Sequence, residues 1–164
     1  MPRPMTVAES VVINVDPEVV YAAISDPTQT PRWSPENRGA VLDVPGTLTV
    51  GSTFVGRNVR RGFRWHTRCR VTAAEPGRRF AFRVEAIGVK TPRLKGLIAT
   101  WEYDLSPSGQ GTLVTETWTD GRKRWPDVAA KAFDKVATRS TFHEFNRNNI
   151  KTTLANLKVA LEAS

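Results

Sequence analysis

The sequence predicts an α+β domain, a curved antiparallel sheet wrapped around a long C-terminal helix. Three observations carry this reading. The elements run strand, short helices, six strands, long helix, which is not a βαβ alternation. The links between strands are short and marked by glycine and proline, as an antiparallel meander requires. One long amphipathic helix must cover about seven strands, and a sheet of that size twists and curls around it. A single helix does not fill such a concavity, so the pattern leaves room for a cavity.

Each element has a local cause. Residues Val7 to Val15 alternate as a strand, with Val11, Ile13 and Val15 opposite Val12 and Asn14. Asp16-Pro17-Glu18 is a helix start: an N-cap acid, a proline suited to the first turn and an acid at the positive helix end. The short helix buries Val20, Ala23 and Ile24 and stops at Asp26-Pro27, and a further helical turn spans Thr28 to Trp33. The next strands are expected at Ala40–Val44, Thr53–Arg60, Phe63–Ala74, Arg79–Ala86, Leu97–Ser106 and Thr112–Thr119. Lys90 to Gly96 is too polar for a strand and is expected as a rim loop. Pro126-Asp127 opens a helix with Val128, Ala132, Phe133 and Val136 on one side. Thr141-Phe142-His143-Glu144 has capping-box spacing, which leaves open whether the tail is one kinked helix or two, the second beginning near Ser140 and running to about Ala163. Its apolar stripe is Ile150, Leu154, Leu157 and Leu161.

The chain of 164 residues is expected to be one domain, spanning 1–164, with a core that needs no disulfide or metal. Its single cysteine, Cys69, excludes an internal disulfide framework. With no signal peptide and no bilayer-length apolar run, the expected location is cytoplasmic. The net charge is +8 and unevenly placed: residues 57–95 hold twelve Lys/Arg against Glu75 and Glu85, while the remainder is slightly acidic. Such an excess suits nucleic acid, an anionic membrane or an acidic partner, or it colours a solvated sheet face. The solvated face is preferred, because the motifs of known nucleic-acid-binding modules are missing. Monomer and homodimer both remain open.

A set of motifs then follows in order: Asp16-Pro17-Glu18-Val19-Val20-Tyr21 with Asp26-Pro27, Arg32-Trp33-Ser34-Pro35-Glu36, and Gly51-Ser52-Thr53-Phe54-Val55-Gly56-Arg57-Asn58. Trp65-His66-Thr67-Arg68-Cys69-Arg70-Val71, Glu75-Pro76-Gly77-Arg78-Arg79-Phe80-Ala81-Phe82, Trp101-Glu102-Tyr103 and Gly111-Thr112-Leu113-Val114-Thr115-Glu116 complete it. Taken together, this set resembles the helix-grip (SRPBCC) superfamily, which includes START-like lipid-transfer domains, birch-pollen allergens and bacterial polyketide cyclase/dehydrase-like proteins. It is most similar to the actinobacterial polyketide cyclase-like members. The resemblance implies a cavity between sheet and C-terminal helix, and a segment around Trp33 flanking its mouth, as gate or as packing anchor.

Strand alternation sorts the side chains into two faces. Trp65, Thr67, Cys69, Val71 and Ala73 face in; His66, Arg68 and Arg70 face out, which makes a catalytic role for His66 the less favoured reading. Phe54 and Asn58, Phe80 and Phe82, and Trp101 and Tyr103 face in by the same rule. On the last strand the set Thr112, Val114, Glu116, Trp118 is the more apolar, which places Glu116 inside. The helix stripe runs back from Ile150 to Asn146 and Phe142.

The expected ligand-lining residues are therefore Trp33, Phe54, Asn58, Trp65, Thr67, Phe80 and Phe82, joined by Trp101, Tyr103, Glu116, Trp118, Phe142, Asn146 and Ile150. Aromatic walls with a few polar points suit a small hydrophobic ligand, although the same aromatics also suit plain core packing. No metal-ligand spacing, P-loop or dinucleotide fingerprint is present, and no cofactor is expected. The single acid–base candidate is Glu116, a carboxyl in apolar surroundings, which leaves open a cyclase, aromatase or dehydratase in the same pocket.

Overall fold

The computed structural model describes residues 5–138 and 140–163. Among them seven strands form one antiparallel sheet: β1 (Thr6–Ile13), β2 (Asn37–Leu42), β3 (Thr53–Arg60), β4 (Phe63–Glu75), β5 (Arg79–Gly88), β6 (Leu94–Ser108) and β7 (Gly111–Asp120). The order across the sheet is β1-β7-β6-β5-β4-β3-β2. Strands β2 to β7 make a meander, and β1 adds at its far edge, beside β7. The helices are α1 (Pro17–Ile24), α2 (Asp127–Thr138) and α3 (Phe142–Glu162), with a 3-10 turn over Pro27–Arg32. This is the helix-grip architecture that the motif order implies, with α3 held in the concave face.

Register irregularities bend the sheet. They fall between Arg68 and Cys69, Val71 and Ala73, and Val84 and Ala86, and such bulges increase local twist. A further irregularity lies in β2 between Asn37 and Ala40. There Gly39 has φ +118°, a conformation that side-chain-bearing residues avoid. The strand thus begins at Asn37, ahead of the Ala40 start that alternation suggests, because alternation does not register a bulge. Strand β6 also starts early. Leu94 and Lys95 pair with Ile87 and Ala86, so the polar stretch expected as a loop is half strand. Its side chains are exposed and leave no apolar period to read.

The termini of the helices follow local chemistry. Pro17 opens α1, but Asp16 makes no side-chain cap bond; Asp26 caps the 3-10 turn instead, accepting from the Thr28 N–H at 3.1 Å. Thr141 caps α3 by accepting from the Glu144 N–H at 3.2 Å, as the capping-box spacing predicts. The tail is thus two helices. The apolar side expected for α2 is not its buried side: Val128 and Val136 are 82% and 87% exposed, while Ala130 and Asp134 are buried. The inner face of α2 is set by an ion pair described below.

The α3 stripe of Ile150, Leu154, Leu157 and Leu161 is buried in one core cluster with Ile13, Val20 and Val114. Polar ties lock α3 along β1. Lys158 Nζ donates to the Val12 carbonyl at 2.7 Å, Glu162 accepts from the Asn14 N–H at 2.9 Å, and Arg147 pairs with Glu9 at 2.9 Å.

Candidate functional site

Under the N-terminal half of α3 the sheet and helix part to enclose a cavity of about 610 Å³. This volume falls in the range of small-molecule sites. Strand alternation delivers its walls. Phe54 and Asn58 of β3, Trp65, Thr67 and Cys69 of β4, and Phe80 and Phe82 of β5 all line it. Trp101 and Tyr103 of β6 face Trp118 and Glu116 of β7 directly across the ladder, and all four line it too. From α3 come Phe142, Phe145, Asn146 and Asn149. His66, outside this wall, bonds through Nδ1 to the Val89 carbonyl at 3.0 Å.

Every residue that the sequence places at the pocket reaches the cavity wall except Ile150. Ile150 is fully buried in the closed core. Its stripe continues to the wall through Asn146 and Phe142, but one turn separates packing from lining. Trp33 lines the cavity and is buried, and its carbonyl accepts from Asn156 Nδ2 at 2.9 Å. The absence of a side chain at Gly56 also makes room, since a Cβ there would lie 2.9 Å from Thr67 Oγ1.

Two carboxyls stand in this wall. Glu116 is 3% exposed. Its Oε1 accepts from the Tyr103 hydroxyl at 2.8 Å, and its Oε2 has no hydrogen-bond partner among the described residues. Burial pushes the carboxyl up to about 8, only partly offset by the Tyr103 bond. Glu36, in the turn after Trp33, has a second partnerless buried oxygen, Oε2. Its Oε1 accepts from Asn149 Nδ2 at 3.3 Å. Desolvation raises it to about 7 against the pull of the Arg60 guanidinium. Nearby, Asn37 Nδ2 donates to Asn58 Oδ1 at 3.4 Å. The β2 bulge is what carries Asn37 to this position. Cys69 is buried, and desolvation lifts its thiol to about 12, so it stays protonated and unreactive.

Sequence reasoning passed over Glu36, whose only signal is its place in the Trp33 motif. It also missed Arg122, which reads as one of a run of three basic residues. Arg122 is 2% exposed. It binds Asp120 through Nε and Nη2 at 3.0 and 2.9 Å and Asp134 through Nη1 at 2.7 Å. Its guanidinium lies over the Phe142 ring at 4.4 Å. The other oxygen of Asp134 accepts the Phe142 N–H at 3.1 Å. This clasp joins the end of β7, the inner face of α2 and the start of α3, and so fixes Phe142 and Phe133 at the cavity wall.

Among the described residues no His, Cys, Asp and Glu cluster could hold a metal, and no helix is long and apolar enough to cross a membrane.

Comparison with known proteins agrees with this geometry. Residues 4–162 match the family described as polyketide cyclase / dehydrase and lipid transport. The chain is similar to the solution structure of a polyketide-cyclase-like protein, Cgl2372, from Corynebacterium glutamicum. The two share 31% identity over 99% of this chain and 91% of the other, with a TM-score of 0.59. Ginseng (Panax ginseng) major latex-like protein 151 shares the fold at 12% identity, TM-score 0.67, covering 94% of this chain and 95% of its own. So does Ms6760 from Mycobacterium smegmatis, at 15% identity and TM-score 0.66, over 97% of this chain and 92% of the other. No curated protein matches the chain in sequence. With the family's match spanning nearly the whole chain, the protein belongs to the polyketide cyclase/dehydrase and lipid-transport family.

Proposed function

We propose that the cavity binds a drug-sized, largely apolar molecule that carries an acceptor oxygen. The observation that carries this reading is the pairing of aromatic walls with a buried carboxyl left one bond short. At neutral pH Glu116 holds its proton. Tyr103 already donates to Oε1, so the acid hydrogen belongs on Oε2, which has no acceptor among the described residues. A buried donor without a partner costs about 1–3 kcal/mol. A carbonyl, ether or hydroxyl oxygen on a bound molecule removes that cost, while rings or chains take the contact of Trp101, Trp118 and Phe82. Native mass spectrometry of the purified protein tests this. An adduct of small-molecule mass is expected, retained by Asn58→Ala and reduced by Glu116→Ala; a chain that carries and takes up no apolar oxygenated compound contradicts it.

A second reading rests on the same dyad. A carboxyl titrating near pH 8 beside a tyrosine suits proton transfer in cyclisation or dehydration of a poly-β-keto chain. Under that reading Glu116→Gln abolishes turnover of a poly-β-keto thioester while the ligand still binds. Unchanged turnover removes it.

A further inference from the structure

The basic segment seen in the sequence divides into two parts in space. On the outer sheet face four of the arginines are ion-paired. Arg70 and Arg83 share Glu85 at 2.9 and 2.8 Å, Arg68 meets Asp43 at 2.7 Å, and Arg79 pairs with Glu102. At the cavity mouth they are not. Arg61 and Arg64 on the β3–β4 hairpin, and Lys90, Arg93 and Lys95 at the β5–β6 turn, form no ion pair with any described residue. These segments lie at one end of the sheet. His66 pairs with Gly88 and bonds Val89, and the Gly121 N–H bonds the Ile98 carbonyl at 2.9 Å.

The same rim gathers the exposed apolar side chains. Phe63, Leu94 and Leu97 are each about half exposed, and among the described residues the large apolar side chains exposed elsewhere are all valines. Helix α2 completes the rim. Its outward face reads Val128, Lys131, Ala132, Lys135, Val136, at spacings of three, one, three and one, and every member is exposed. Apolar positions flanked by lysines describe a helix lying in a membrane interface, with stems in the acyl boundary and ammonium groups at the headgroups. Phe63, Val89, Leu94 and Val136 also line the cavity, so this surface surrounds its opening. Within the rim segments the acids are Asp127 and Asp134, and Asp134 is buried against Arg122.

We infer that the rim formed by the β3–β4 hairpin, the β5–β6 turn and the outer face of α2 docks the cavity mouth onto an anionic lipid bilayer. Unpaired cations supply the attraction to acidic headgroups, and Phe63, Leu94 and Val136 supply the insertion. An acidic protein or a nucleic acid would use the cations but gain nothing from this apolar set. Docking needs only the rim and stands whether or not the cavity carries a ligand.

The test is co-sedimentation of the full chain with phosphatidylcholine vesicles, with and without phosphatidylglycerol. Binding is expected only with phosphatidylglycerol and is expected to weaken as salt rises. Replacing Lys90, Arg93 and Lys95 together by Ser lowers the partition coefficient about a hundredfold, near fivefold per cation. Leu94→Ser with Val136→Ser lowers it about tenfold. Arg68→Ser with Arg83→Ser, on the paired outer face, changes it less than about threefold. Thermal melting of each variant confirms that it is folded, and the apolar pair serves if the triple variant is not. Failure of the wild type to bind anionic vesicles at low salt overturns the inference. So does an outer-face variant that loses as much as the rim variant, or an apolar pair that loses nothing while binding tracks RNA or polyglutamate instead.

Discussion

The two halves of α3 face opposite conditions. From Leu154 onward no residue of α3 lines the cavity, and Leu154, Leu157 and Leu161 are buried in one core cluster with Ile150, Ile13 and Val114. Up to Thr153 the helix forms one wall of the cavity, and among the described residues the carboxyls of Glu116 and Glu36 each keep an oxygen without a partner. The first half accounts for stability and the second gives up some of it. A packed core gains dispersion contacts on every side; a cavity wall forgoes them and carries unsatisfied groups. Arg122 stands at the open end, where its clasp ties the start of α3 to β7 and α2.

Substitutions separate the two halves. The largest expected effect is Arg122→Ala, which removes the guanidinium from between the buried Asp120 and Asp134 and costs about 3–5 kcal/mol in urea unfolding. Leu157→Ala, in the sealed half, costs about 2–5 kcal/mol. The third effect depends on pH. A carboxyl raised in the folded state holds a proton that the unfolded chain has released. Its stabilisation is complete below the ordinary value of 4.5 and is lost as pH climbs through about 8. Glu36, raised to about 7, acts in the same direction. Wild-type stability should thus decline by on the order of 3–5 kcal/mol from pH 5 to 9 through Glu116 alone. Glu116→Gln should flatten that decline in urea titrations at each pH; a parallel slope in the variant refutes the assignment. The smallest effect belongs to the cavity wall: Trp101→Ala, at a partly buried position whose ring faces open space on one side, should cost about 1–2 kcal/mol. If it costs as much as Leu157→Ala, the open half is a packed core after all.

Much of the fold was legible because apolar alternation and helix spacing report burial directly. The inner sets of β4 to β7 and the stripe of α3 were read from period alone, and Glu116 came with them through its neighbours Val114 and Trp118. What escaped lies where the period carries no information. A bulge at Gly39 shifted β2 and brought in Asn37. The exposed beginning of β6, Leu94-Lys95-Gly96-Leu97, spaces its leucines by three and shows no period of two. Val128 and Val136 look like a buried face, because apolar spacing shows that a helix has two sides but not which side another element covers. Glu36 turns inward toward Asn149, far away in sequence, and Arg122 is enclosed by Asp120 and by Asp134 on the next helix, and no apolar period marks a charge as one that will be enclosed. Ile150 shows the limit from the other direction: a residue on the correct stripe still falls on the sealed side.

The most direct test of the account is a titration with the neutral fluorophore N-phenyl-1-naphthylamine, comparing wild type with Thr67→Phe, a substitution that fills the cavity from β4. The account predicts saturable binding of one probe per chain in the wild type, with energy transfer from tryptophan, and loss of that binding in a variant whose melting temperature is unchanged. Non-saturable binding to the wild type, or equal affinity in the filled variant, would contradict a ligand site between the sheet and the N-terminal half of α3.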